Sequence, residues 1–153
     1  MLNGRIILYK SNVLSAEMSF DDLHSIGPGE FIFADIINPT DDDLGLLKET
    51  FGFHSLAVED AMSASQVPKL DLYKDQIFVL LKTAGLRNDR VEYGEMSFFL
   101  SKRFIVLVRQ AKAADHSELH RKFENAPYTR HRAPDFVLHA VADLIVDNYL
   151  PVL

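Results

Sequence analysis

No cysteine occurs among the 153 residues. That excludes disulfides, thiolate-ligated zinc, iron–sulfur clusters and thiol catalysis, and it suits a reducing compartment. Long apolar runs are also missing: none approaches the roughly 18–20 residues that cross a bilayer as a helix. The opening "MLNGRIILYK" reads as a short polar-flanked strand, not as a charged head before an apolar core, so no secretory leader is read there. Excess positive charge is absent as well. The 16 Lys and Arg against 22 Asp and Glu give a net charge of −6. A general nucleic-acid or anionic-membrane surface is thereby disfavoured, and cations are the more natural partners. The chain carries no phosphate-binding glycine loop, no Gly-x-Ser-x-Gly elbow and no dinucleotide fingerprint. Nothing points to an enzyme or to a small-molecule substrate. Internal repeats, low-complexity tracts and clear linkers are lacking too.

What is present is an ordinary globular composition, 48% hydrophobic and 25% charged, which fits one domain over residues 1–153. "RIILYK" and "GEFIFADI" read as strands. "NPTDDDLGLLKETFG" reads as a helix with Thr40 as N-cap, three acids in the first turn and Gly52 past its end. Ser55 is expected to cap a second short helix over residues 56–62. "QIFVLLKTA" is nearly continuously apolar, the mark of a strand buried on both faces. "EMSFFLSKRFIVLVRQ" reads as a hairpin turning at Ser101, Lys102 and Arg103. "ADHSELHRKFEN" reads as a polar helix, and a last helix begins near Pro134. Central strands apolar on both sides need helices on both sides. The expected fold is therefore α/β (α+β): a three-layer αβα sandwich around a mixed sheet.

Two acidic patterns carry candidate chemistry. In the last helix Asp135, His139, Asp143 and Asp147 recur every fourth residue and form one stripe beside an apolar face. Repeated acids repel unless something positive lies against them, and Mg²⁺ or Ca²⁺ would serve, since both prefer carboxylate and water oxygens. A solvated helix face gives the same pattern. In "FGFHSLAVEDAMSASQVPKLDLY", Glu59 and Asp60 stand side by side in a short helix with no evident basic partner. Adjacent helical residues point about 100° apart, so the two do not chelate one ion simply. They suit neighbouring ions, or one ion shared with another chain, or plain solvation. His116 and His120 have a zinc-compatible spacing, but "HSELH" is not His-Glu-x-x-His, and two histidines on a polar helix usually face solvent. "TRHRAP" is a small basic loop that offsets nearby acids or binds an anion.

Three segments taken together resemble the cytoplasmic N-terminal domain of the CorA-type magnesium transporters. They are "FGFHSLAVEDAMSASQVPKLDLYKDQIFVLLKTA", "EYGEMSFFLSKRFIVLVRQ" and "RAPDFVLHAVADLIVDNYLPVL". The set H-x-L-x-x-E-D, then P-K, then a closing D-x-x-x-D-x-Y carries the resemblance; the first 50 residues fit more loosely. Ser55 stands where the family often has proline, and Val67 where arginine commonly precedes Pro-Lys. A more distant branch that includes the zinc transporters stays open.

The resemblance implies a homopentamer on the cytoplasmic face of a membrane. In such a protein the domain is followed by a stalk helix and two transmembrane helices joined by a Gly-Met-Asn loop. None of these later parts lies in this sequence, whose ending on Pro151, Val152 and Leu153 reads as cut from something longer. By motif, Glu59, Asp60 and Asp143 correspond to residues that help form divalent-cation sites between subunits, with Asp147 one turn further on. The implied ion is Mg²⁺, with Co²⁺ as a companion and Zn²⁺ as the alternative. The implied role is regulatory metal sensing rather than catalysis. The competing readings are a zinc transporter's cytoplasmic domain and a plain αβα interaction module. Glu59, Asp60 and Asp143 are further expected to lie near one another, exposed and without basic partners. The chain alone is expected to associate only weakly.

Overall fold

A computed structural model describes residues 2–10, 13–23, 26–63, 67–110, 121 and 133–153. Among these, seven strands form one sheet: β1 (Gly4–Lys10), β2 (Val13–Glu17), β3 (Glu30–Ile37), β4 (Lys69–Tyr73), β5 (Gln76–Arg87), β6 (Arg90–Leu100) and β7 (Phe104–Gln110). Their spatial order is β2-β1-β3-β7-β6-β5-β4. Every neighbouring pair is antiparallel except β3 and β7, which run parallel with Ile32 beside Phe104 and Ile36 beside Val108. The sheet is thus mixed, as expected. It consists of a three-strand unit and a four-strand meander that meet at one parallel seam.

Alternation along the central strands builds a core on each face. Ile32, Ala34 and Ile36 of β3, with Val106 and Val108 of β7, face α1 (Asp41–Phe51) and α2 (Ser55–Met62). Phe31 and Phe33, with Ile105 and Leu107, face α3 (Pro134–Tyr149) through Val137, Val141, Leu144 and Ile145. Helices therefore cover both faces, because neither side of these strands offers a polar stripe to water.

Local chemistry sets the helix ends. Thr40 Oγ1 accepts from the Asp43 amide at 3.1 Å, and the Asp43 carboxylate accepts from the Thr40 amide at 2.9 Å, a reciprocal capping box. The Thr40 amide, and to a lesser degree its side chain, holds the Asp43 carboxyl below its ordinary value. Gly52 closes α1 in the left-handed region at φ 68. Gln76 Nε2 donates to the carbonyls of Phe51 and Gly52 at 2.9 and 3.2 Å, which ties that helix end to the start of β5.

The cap of α2 differs from expectation. His54, not Ser55, is the N-cap, with extended backbone and Nδ1 accepting from the Leu56 amide at 3.2 Å. Its ring stacks on Tyr73 of β4 at 4.3 Å between centroids, which holds the imidazole in capping position. The hairpin at residues 101–103 forms as read, and α3 begins at Pro134. Strands β2 and β4 were not evident from pattern. On β4 the alternation is inverted: Leu70 and Leu72 are exposed, while Lys69, Asp71 and Tyr73 turn toward the α2 side. The β5–β6 hairpin turns at Asn88 and Asp89, both at positive φ, as a two-residue turn matched to strand twist requires. Apart from Arg121, the polar helix read at 114–125, with His116 and His120, lies outside the described residues, as does most of the basic loop at 129–134.

Among the described residues, one ion pair is fully buried. Arg109 Nε donates to Asp35 Oδ1 at 2.8 Å, and Arg109 Nη2 donates to Asp35 Oδ2. Both side chains are 2% exposed, and they bridge β3 and β7 across the parallel seam. Gly4 lies so close to the Asp35 carbonyl that a Cβ there would collide with backbone.

Candidate metal site

Helix α2 is eight residues long and buries Ala57 and Ala61 against the sheet. Those two contacts fix its rotation. Glu59 projects into solvent, and Asp60, one residue on, points down the side of the helix toward β4. The chain leaves α2, passes Pro68 and enters β4 directly alongside. Lys69 is the first residue of that strand, and its ammonium pairs with Asp60 and lies 3.4 Å from Asp71 Oδ2. The Asp60 side chain is 19% exposed and that of Lys69 32%. The pair is therefore shielded enough to hold a preferred geometry, yet open on one side to water. The hydrogen bond to Asp60, with a smaller contribution from Asp71, raises the Lys69 ammonium above its ordinary value. On the same strand face Tyr73 is also raised, first by burial and then by the charges of Asp71 and Asp60.

The expectation that these acids lack a basic partner is thus overturned for Asp60. Lys69 is only nine positions downstream, and the Pro68-Lys69 step was visible in the sequence. What the sequence did not reveal was that the following strand folds back beside the helix rather than away from it.

On α3 the acidic stripe is where periodicity puts it. Asp135, His139, Asp143 and Asp147 are all exposed, opposite the buried Val137, Val141, Leu144 and Ile145. His139 Nδ1 stands 3.7 Å from Asp143 Oδ2, with the two side chains 78% and 60% exposed. Asp143 therefore has a neighbour that becomes a cation only on protonation. Asp135 Oδ1 accepts from the adjacent Phe136 amide at 2.9 Å. The end of the helix is anchored by Tyr149, whose hydroxyl donates to the Lys82 carbonyl on β5.

Glu59 and Asp60 do not lie beside Asp143 and Asp147. Helix α2 packs in the core on one face of the sheet and α3 in the core on the other, so the whole sheet separates the two acidic sets. The expectation that Glu59, Asp60 and Asp143 gather on one side is overturned. Its cause is the layer arrangement, which sequence order does not reveal. Among the described residues, no group of three or more His, Asp or Glu is arranged to hold a metal ion. Among them, too, no helix is long and apolar enough to cross a membrane.

Residues 28–153 match the family described as "CorA-like Mg2+ transporter protein". YfjQ of Bacillus subtilis is 26% identical over 121 residues, covering 79% of this chain and 37% of that protein. The cobalt/magnesium transport protein CorA of Thermotoga maritima is 25% identical over 108 residues, covering 69% of this chain and 31% of that one. The chain thus spans about a third of the length of these curated relatives. Among solved structures, the CorA magnesium transporter of Methanocaldococcus jannaschii superposes with a TM-score of 0.74 at 13% identity, over 99% of this chain and 47% of that one. The fold, the ordered motifs and the extent of the family match agree, and the chain belongs to the CorA-like Mg²⁺ transporter family.

Proposed function

We propose that this chain is the regulatory, divalent-cation-sensing domain of a homopentameric CorA-type channel, facing the cytoplasm and joined to the membrane by later parts of a longer protein. Glu59, Asp60, Asp143 and Asp147 supply carboxylate oxygens to Mg²⁺ held between neighbouring subunits. The observation that carries this reading is the position of the acids. Two acidic sets, Glu59 with the partly shielded Asp60 and the exposed Asp143 with Asp147, stand on opposite faces of one sheet. Half-sites on two different surfaces meet only by head-to-tail contact, and head-to-tail contacts that close form rings.

Mg²⁺ suits such a site. It takes oxygen ligands, keeps several waters and uses one or two carboxylates, so its binding stays weak enough to follow a cellular level. Carboxylates about 4 Å apart repel by about 4 kcal/mol at an effective dielectric of 20. A bridging ion reverses that sign. A ring that binds Mg²⁺ better in its closed arrangement is shifted toward closure by the ion and released when the ion leaves. The family is one of transporters, and the reading is accordingly non-enzymatic.

The test is ion flux against internal Mg²⁺ in the whole gene product carrying Glu59→Ala and Asp60→Ala. Inhibition by Mg²⁺ is expected to weaken while conduction persists. An unchanged Mg²⁺ dependence would remove the sensor role of these residues. Repeating the titration with Co²⁺ and Zn²⁺ ranks the ions; regulation by Zn²⁺ at lower concentration than by Mg²⁺ would favour the zinc-transporter reading.

A further inference from the structure

Lys69 stands between two carboxylates at the side of α2. Its ammonium sits on Asp60, a residue read above as an Mg²⁺ ligand, and a second carboxylate, Asp71, lies 3.4 Å away. The three groups come from two elements held rigidly together. Asp60 is fixed by α2, while Lys69 and Asp71 sit two residues apart on one side of β4. Strand β4 is in turn bonded to β5 along its whole length, with Lys69 beside Leu80 and Tyr73 beside Gln76. Stacking of His54 on Tyr73 clamps the start of α2 to the same strand.

We infer that Lys69 is a tethered cation that competes with Mg²⁺ for the Asp60 carboxylate, and that Mg²⁺ binds by displacing it toward Asp71. This rests on the reading of Asp60 as a metal ligand. Three features of the geometry favour displacement over a permanent lock. The pair is partly open to water, so the ammonium leaves without crossing apolar packing. A receiving carboxylate is already within ion-pair distance, so the lysine charge is not stranded when it moves. A single ammonium satisfies only part of the acceptor capacity of a carboxylate, which leaves room for an incoming ion to attach before the lysine departs. Glu59 on the exposed face of α2 has no such occupant among the interactions described, and it offers the first point of attachment.

The consequence is a built-in threshold. An ion that must compete with an attached ammonium binds more weakly than the same carboxylates would allow alone, and only a doubly charged ion outbids a singly charged one at equal distance. Monovalent cations, which equal the lysine in charge and lack its tether, are rejected by the same device.

The experiment is Mg²⁺ titration by isothermal calorimetry on the whole gene product and four variants. Asp60→Asn is expected to weaken Mg²⁺ binding at least tenfold. Lys69→Gln is expected to tighten it about fivefold, the scale of a partly exposed ion pair. Lys69→Arg, which keeps the charge, is expected not to tighten it. Asp71→Asn leaves Lys69 in place without its alternative partner, and is expected to weaken Mg²⁺ binding about twofold to threefold. If Asp60→Asn binds as the parent does, the ligand reading fails and the tethered cation falls with it. If Asp60→Asn weakens binding but Lys69→Gln does not tighten it, the ligand stands and the tethered cation is overturned. Should Lys69→Gln fail to fold, Asp71→Asn decides: parental affinity in that variant overturns the inference.

Discussion

Replacing Arg109 by Met exposes the energetic role of the buried Asp35–Arg109 pair. Both side chains are withdrawn from water and joined by two charge-assisted hydrogen bonds. Removal of the guanidinium leaves a carboxylate in a core lined by Phe33, Ile105 and Leu107. Breaking one side of such a pair typically costs about 3–5 kcal/mol, most of it the penalty of the charge left behind. For a domain of this size each kcal/mol moves the melting temperature by about 2–4 °C, so the expected fall is about 6–20 °C. Asp35→Leu together with Arg109→Met removes both charges and restores apolar volume, and is expected to return stability to within about 1 kcal/mol of the parent. Urea unfolding followed by circular dichroism measures all four corners of this cycle, and an unchanged slope against denaturant checks that the unfolded state is comparable. The reasoning is refuted if the single variant loses less than about 1 kcal/mol, or if the double variant is as unstable as the two single losses added together.

Two other features give smaller effects. Thr40→Ala removes the side-chain half of the α1 capping box and is expected to cost about 1 kcal/mol by the same denaturation assay. Because the Asp43 carboxyl is lowered in the folded protein, its contribution is present above the ordinary value of 3.8 and is lost as pH falls through the folded value; Asp43→Asn is expected to flatten that acid limb. Gly52→Ala places a Cβ on left-handed backbone at φ 68 and is expected to cost about 1 kcal/mol, with the nearest obstacle, Gln76 Nε2, at an ordinary 3.9 Å.

Much of the architecture was legible because it depends on local order. Continuous apolar runs marked β5, β6 and β7, Thr40 and Gly52 bounded α1, and Pro134 opened α3. What escaped reading depends on contacts distant in sequence. Strand β4 reverses the usual alternation, with Leu70 and Leu72 exposed, so no apolar face marks it in the sequence. The pairing of Asp60 with Lys69 follows from the return of β4 along α2, and the separation of α2 from α3 follows from layer order. One signal was available and strong. Asp35 interrupts one apolar strand, and Arg109 follows the apolar run of another; a charge inside such a strand asks for a buried partner of the opposite sign.

The parallel seam between β3 and β7 also bears on how the chain folds. On the β4–β7 side, successive strands are joined by short turns, so each pairing closes a small loop. On the other side, β1 bonds to β2 across a short turn and to β3 across a longer stretch, Lys10 pairing with Glu30. Among the described strand pairings the seam joins the most distant segments: its ion pair spans 74 positions. Loop closure of that length is entropically unfavourable before any contact repays it, so seam formation is expected to be the late, rate-limiting event. Arg109→Met should then speed unfolding less than it slows folding only if the pair is already made at the barrier, and the two arms of a chevron plot separate these cases.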